Sequence, residues 1–399
     1  MHGTPLLNTV APMRIAASRA PGAERVVTPL ELFFDLVYVF AIAQLSHHLA
    51  EHVDLRTAAE TAVLALAVVY AWYMTAWGSN WLDPARLAVR LLIVGLMFAS
   101  LLMSVAIADA FDGRAWLFVA GYLAIQFGRS AFLRGALGGQ ALGEHFANVL
   151  VWELAAGVLW VAGAIADFDT RLVLWGLAVI VTYVGVTVTH WLPGRGRRMD
   201  LASVEIASEH LIERFRVFFL IALGETVLTM GSAFSDEPFE LKRLLALAIG
   251  FTGTVALWWC YFERAEGIAF KATETTERAG RIGWWGTLTL TLLLLAVIAI
   301  AVGDQLAISD PSGDPTVGFT VLTFGGPALF LFAQAVFIYA ALGHVPRSRP
   351  LGIAALAVLA IVTAPLTLLA GIAAATAVLV AVAIPDTHLA RGETAGAPS

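Results

Sequence analysis

Along most of this chain apolar residues run in unbroken blocks of about 17 to 25, separated by short segments rich in Gly, Pro, Asp and Arg. Continuous blocks of that length suit α-helices crossing a hydrocarbon core, and the lack of alternation excludes a β-barrel. Twelve helices are predicted: Pro29–His52, then 57–77, 86–108, 115–134, 145–165, 171–191, 211–232, 243–262, 284–308, 317–342, 351–366 and 368–385. The last two divide the run from Leu351 to Ile384 at Pro365, because the run is too long for one ordinary span and an interior proline breaks a helix. The fold class is all-α, a polytopic transmembrane helical bundle of about 12 spans.

The first span opens with Thr28-Pro29, a helix-starting pair, and then reads ELFFDLVYVFAIAQLSHHLAEH from Glu31 to His52. Glu31 and Asp35 are four apart and share one helix face, with Asp35 a turn deeper. An ionised carboxylate in hydrocarbon is costly, so this face must turn toward other helices and meet a cation or hold a proton.

Composition agrees with a membrane class: 59% of residues are hydrophobic and 14% charged. Nothing reads as a basic nucleic-acid surface, so no nucleic-acid partner is expected. Cys260, the single cysteine, excludes an internal disulfide and a thiolate metal cluster. Loop charges give the orientation. With the N-terminus inside, the inner segments hold 19 of the 24 Lys and Arg residues, while outer segments tend to be acidic, as at Asp304, Asp310 and Asp314. The expected location is the cytoplasmic membrane with both termini cytoplasmic, residues 1–28 and 386–399 being tails.

ELFFDLVYVF in span one is echoed by ERFRVFFLIALGE in span seven, and each is followed one span later by aromatics: Trp72 and Tyr73, then Trp258, Trp259 and Tyr261. Six spans separate the copies, which suggests two parallel halves, 29–192 and 210–385, joined by a linker at 193–209. Aromatic residues also gather at membrane interfaces without any repeat.

At about 100° per residue, His210, Arg214 and Glu225 fall on one stripe of span seven. This could be a proton or cation site, or simply polar packing between helices. Glu153 is another mid-span acid, with Gln126 and Arg129 on the preceding span as candidate partners. Glu31 and Asp35 would meet Arg214 or Arg216 if span one packs on span seven. His48 and His52, four apart, could share a metal ion, but a third ligand is not evident and no HExxH is present. Gly138, Gly139 and Gly143 suit a tight connector rather than a phosphate cradle, since no strand precedes them. There is no Walker loop, GxSxG or CxxCH, and no cofactor is expected.

ELFFDLVYVFAIAQLSHHL and EHLIERFRVFFLIALGETV, with the aromatic LWWCYFE, resemble the two hallmark segments of the low-temperature-requirement A family of bacterial membrane proteins. The resemblance covers the chain from about Thr28 to the last spans. It implies a multi-pass cytoplasmic-membrane protein linked by name to growth in the cold, and it carries no biochemical activity with it. The motif positions it marks are Glu31, Phe34, Asp35, Gln44, His47, Glu213, Arg214, Phe215, Gly224 and Glu225.

Three functions compete. The leading one is a secondary transporter or ion pathway with Asp35 and Glu225 as titrating groups and Arg214 as counter-charge, its partners being membrane lipids and protons or a small-molecule substrate. The second is an intramembrane enzyme acting on a lipid or isoprenoid, with Glu31, Asp35 and Glu225 as acid, base or metal ligands and Trp72, Tyr73, Trp258, Trp259 and Tyr261 lining its cavity. The third is a cold-adaptation scaffold without catalysis. Oligomeric state is left open by these patterns.

Overall fold

The computed structural model describes residues 27–194, 208–265, 276–364 and 366–395. The N-terminal tail and most of the linker lie outside them, as does Pro365. Twelve α-helices and no strand are present among the described residues: α1 Pro29–Glu51, α2 Leu55–Ser79, α3 Leu87–Val105, α4 Ala115–Ala136, α5 Ala141–Ile165, α6 Phe168–Thr187, α7 Ser208–Ser235, α8 Leu241–Cys260, α9 Thr276–Ser309, α10 Val317–Leu342, α11 Ser348–Val362 and α12 Leu368–Ala395. Ten are long and apolar enough to cross a membrane, and α11 and the apolar part of α12 are shorter.

Helix ends follow the local chemistry. Thr28 and Glu31 form a capping box at the start of α1, with Pro29 in the first turn. The side chains of Asp54, Asp167 and Thr316 accept backbone N–H groups at the starts of α2, α6 and α10. Gly343 ends α10 in the left-handed conformation that a Cβ would oppose. A single π-helical turn, Tyr261–Ala265, follows α8. Pro327 sits inside α10 directly after Gly325 and Gly326.

Helices α1, α2, α7 and α9 form the junction of the bundle. α1 packs on α2, α3, α7 and α9, while α2 also touches α4, α6, α7 and α9. The most apolar windows of α2 and α9 are 83% and 78% buried by protein, against 33% to 56% in the other spanning helices, so these two are central. The same succession of neighbours, first on third, third on fourth, fourth on fifth and fifth on sixth, recurs six helices later.

Asp304 belongs to this interior. It is not on an acidic outer loop, because α9 continues past it to Ser309 and buries it against α8. Small residues allow the closest approaches. A Cβ on Gly121 of α4 would stand 2.8 Å from both Ala99 O and Met103 N of α3. Those are backbone atoms that cannot rotate aside. Gly121→Val should therefore cost about 1–3 kcal/mol of stability through overpacking. Gly95→Ala, with nothing within 4 Å of the new methyl, should leave the detergent melting temperature equal to or above that of the parent. Equal melting of the two variants would disprove the close α3–α4 contact.

Candidate functional site

Helix periodicity places Glu31, Phe34, Asp35 and Tyr38 on one side of α1, and all four are buried. That side meets the start of α7. Arg214 donates from Nη2 to Asp35 Oδ1 at 2.5 Å and from Nε to Oδ2 at 3.2 Å, a two-point grip on the carboxylate. Trp72 of α2 donates its indole N–H to Asp35 Oδ1 at 2.7 Å. Asp35 is 0% exposed and Arg214 1%, so the pairing is shielded from bulk solvent.

Glu31 has two tasks. Its Oε2 accepts the Thr28 N–H at 2.9 Å within the capping box, while Oε1 lies 3.5 Å from Arg214 Nη1 and 3.4 Å from His210 Nε2. His210 Nδ1 in turn stands 2.8 Å from Asn80 Oδ1 at the end of α2. Arg214 thus lies between two carboxylates one helical turn apart, flanked by the rings of Phe34 and Trp72 at 5.8 and 5.9 Å.

A second buried cluster joins α2, α4 and α5. Arg129 Nη2 donates to Glu153 Oε1 at 2.5 Å and to Gln126 Oε1, and the Ser130 hydroxyl donates to the same Glu153 oxygen at 2.8 Å. Arg129 Nη1 reaches Thr75 Oγ1 at 3.4 Å and Ala71 O at 3.5 Å on α2. Ala71 and Thr75 flank Trp72 in the sequence, so α2 serves both clusters within one turn. Tyr38, fully buried, is within electrostatic reach of both Asp35 and Arg129.

Glu225 is not part of the Asp35–Arg214 group. It lies eleven residues past Arg214, about 16 Å along α7. It shares the predicted stripe, and because α1 runs beside α7 its neighbour there is His47. Its carboxyl accepts the Thr229 hydroxyl at 2.7 Å from its own helix. Asp304 of α9 fits against Gly250 of α8, where an added Cβ would meet its Oδ2 at 3.2 Å. Among the described residues, neither Glu225 nor Asp304 has an Arg or Lys within ion-pair distance. Sequence reasoning counted Asp304 among the acids of the outer loops although its own predicted span, 284–308, contains that residue.

Other expected site residues are dispersed. Glu213 pairs with Arg216 at 2.7 Å on the partly exposed side of α7. Gln44 is half-buried and His47 exposed. His48 does not share a metal with His52: its Nε2 faces Glu60 at 3.2 Å, and His52 is the exposed cap of α1. No group of three or more metal-binding side chains exists among the described residues. The five aromatics line no common cavity. Trp72 and Tyr73 pack on Phe215, and the Tyr261 ring lies 4.1 Å from that of Phe219 at a tilt. Trp259 lines a shallow groove with residues of α12, and Trp258 is 39% exposed on the outer surface.

The family model described as bacterial low temperature requirement A protein (LtrA) matches residues 26–384. The chain belongs to the LtrA family. It is similar to the protein named uncharacterized protein RA0937 of Rhizobium meliloti (strain 1021), with 36% identity over 305 residues, 75% of this chain and 74% of that one. No solved structure matches. The ten helices of this LtrA chain that are long and apolar enough to cross a membrane make it a multi-pass membrane protein.

Two measurements test the geometry. Arg214→Gln leaves two buried carboxylates without their cation and should destabilise by about 3–5 kcal/mol. Asp35→Asn combined with Arg214→Gln should cost less than the sum of the single changes. Additive losses in detergent melting would show that the two side chains act separately.

The second concerns His190, just beyond α6, which is buried and has its ring 5.4 Å from that of His145. Thr189 and His190 both adopt φ of 52°, a left-handed backbone that non-glycine residues rarely take. Burial, and secondarily the neighbouring His145 and Arg129, hold the His190 pKa well below its usual 6.5. The unfolded chain then binds a proton that the folded chain refuses. This contribution to stability is complete above about pH 6.5 and declines as pH falls toward the folded pKa. His190→Asn, which tolerates the same backbone, should flatten the acid-side fall in melting temperature. An unchanged pH profile would exclude His190 as its source.

Proposed function

We propose that this LtrA protein is a proton-coupled secondary transporter of the cytoplasmic membrane, its arginine-rich end and both termini facing the cytoplasm. The observation that carries this reading is the buried charged layer at the junction of α1, α2 and α7, where the two sets of six helices meet. Apolar packing would hold such a junction as well as or better than buried ion pairs, whose best-attested use is to fix register or to switch. Ionisable groups at membrane depth are functional candidates by default.

The arrangement also has two available states. Arg214 grips Asp35 and stands 3.5 Å from Glu31, one turn away, so a shift of α7 along α1 by a turn would exchange its partner while keeping its charge paired. Protons would travel on the two acids outside that grip. Among the described residues neither Glu225 nor Asp304 is paired with an Arg or Lys, and an ionised carboxylate so placed is costly until water or a cation reaches it. Pro327 gives α10, the neighbour of α9, an interruption of the kind found in helices that change shape.

An intramembrane enzyme is less well supported, since its acids would need to converge on one apolar cavity and here they are distributed along α1, α7 and α9. The test uses the full chain in proteoliposomes on solid-supported membranes, challenged with panels of amino acids, organic acids, sugars and amines at two pH values. A pH-dependent current is expected for at least one class. Glu225→Gln and Asp304→Asn, each with parental melting behaviour, should reduce it about tenfold or more. Folded variants with undiminished current would remove these acids from the mechanism. Loss of cold growth without any current for the parent would favour the scaffold.

A further inference from the structure

A narrow cavity of about 60 Å³ lies between α7, α8, α9, α10 and α11, at the end of the bundle where α7 and α11 begin. Most of its wall is apolar, with Phe215, Leu290 and Leu293 among the lining side chains. Two arginines also line it, Arg349 and Arg216, the latter paired with Glu213 at 2.7 Å, and none of the described lining residues is acidic. Arg349 is 0% exposed and is held by Gln334 Oε1 at 2.9 Å and Ser348 Oγ at 3.0 Å.

The remaining polar groups of the wall point to a ligand independently of the arginines. Gln334 and Thr289 are both more than nine-tenths buried, yet among the described residues the Gln334 amide nitrogen and the Thr289 hydroxyl have no hydrogen-bond partner. Buried donors are seldom left unsatisfied, and removing them from water costs free energy unless a ligand or water accepts from them. The wall therefore offers guanidinium, amide and hydroxyl donors beside an apolar surface. That combination suits an amphiphile with an anionic oxygen-rich head and a hydrocarbon chain.

We propose that this cavity binds an anionic membrane phospholipid, the phosphate among Arg216, Arg349, Gln334 and Thr289 and the start of a chain along Leu290 and Leu293. The site includes neither Glu225 nor Asp304 and does not depend on the transport reading. It does share a wall with the charged layer. Phe215 lines the cavity and also packs on Trp72, the ring that donates to Asp35. Gly286 permits that placement, since a Cβ there would stand 2.9 Å from the Phe215 ring.

Native mass spectrometry of the full-length protein, released from micelles doped with phosphatidylglycerol or phosphatidylcholine of the same chains, tests the proposal. Retention of the anionic lipid should exceed that of the zwitterionic one about tenfold, as expected for charge-assisted hydrogen bonds. Thr289→Val keeps the side-chain shape and removes an unsatisfied hydroxyl, so the protein should remain folded while that preference falls. Arg216→Gln, at a partly exposed position, should lower it further. Equal retention of the two lipids, or an unchanged preference in both variants, would overturn the proposal. Displacement of the lipid by millimolar inorganic phosphate alone would overturn it too, by making this a site for soluble anions.

Discussion

The arginine clasped between two carboxylates at the centre of an apolar bundle constrains everything around it. A guanidinium cannot remain in hydrocarbon without a counter-charge, and a carboxylate cannot remain there without a donor. Arg214 therefore fixes the height and rotation of α7 against α1. Trp72 extends the constraint to α2 by occupying Asp35 with its indole N–H, and His210 reaches Asn80 at the end of the same helix. Three helices, two that open the chain and one from its middle, are thereby held in register by a handful of polar atoms.

Because α2 is surrounded by protein, it can transmit that register further. Ala71 O and Thr75 Oγ1, on either side of Trp72, receive Arg129, whose carboxylate partner Glu153 stands on α5. The first six helices are thus attached to the junction through a second ion pair less than a turn away along α2. Packing is adjusted to permit this, as where Gly121 brings the α3 and α4 backbones into contact and Gly286 makes room for Phe215.

Ionisable groups in this bundle fall into two kinds. Those at the junction are satisfied in pairs, which makes them suited to hold or exchange a register. Glu225 and Asp304 sit farther along α7 and α9, among threonines and glycines and away from any arginine. A membrane protein that moves a proton needs both kinds: paired charges that define conformations, and solitary acids whose charge depends on access. Phe215, which lines the donor-bearing cavity and packs at a tilt on Trp72, joins that cavity to the first kind.

Much of this was legible in the linear chain. Apolar runs have a length set by the bilayer, so the twelve helices and the break near Pro365 follow from the residues alone. The spacing of Glu31 with Asp35, and of His210 with Arg214, likewise fixes which side chains share a face, because a helix has one period. Periodicity gives angle but not height or partner. It placed Glu225 on the same stripe as Arg214, and only packing revealed that α1 carries His47 at that level and Asp35 far below. Packing also turned His48 toward Glu60, scattered the aromatics among separate environments and drew Asp304 inward. Local sequence determines a helix and its faces through backbone geometry and hydration. Which faces meet is decided by the mutual fit of whole helices and by the demand that every buried charge find its opposite, and those are properties of the assembled bundle.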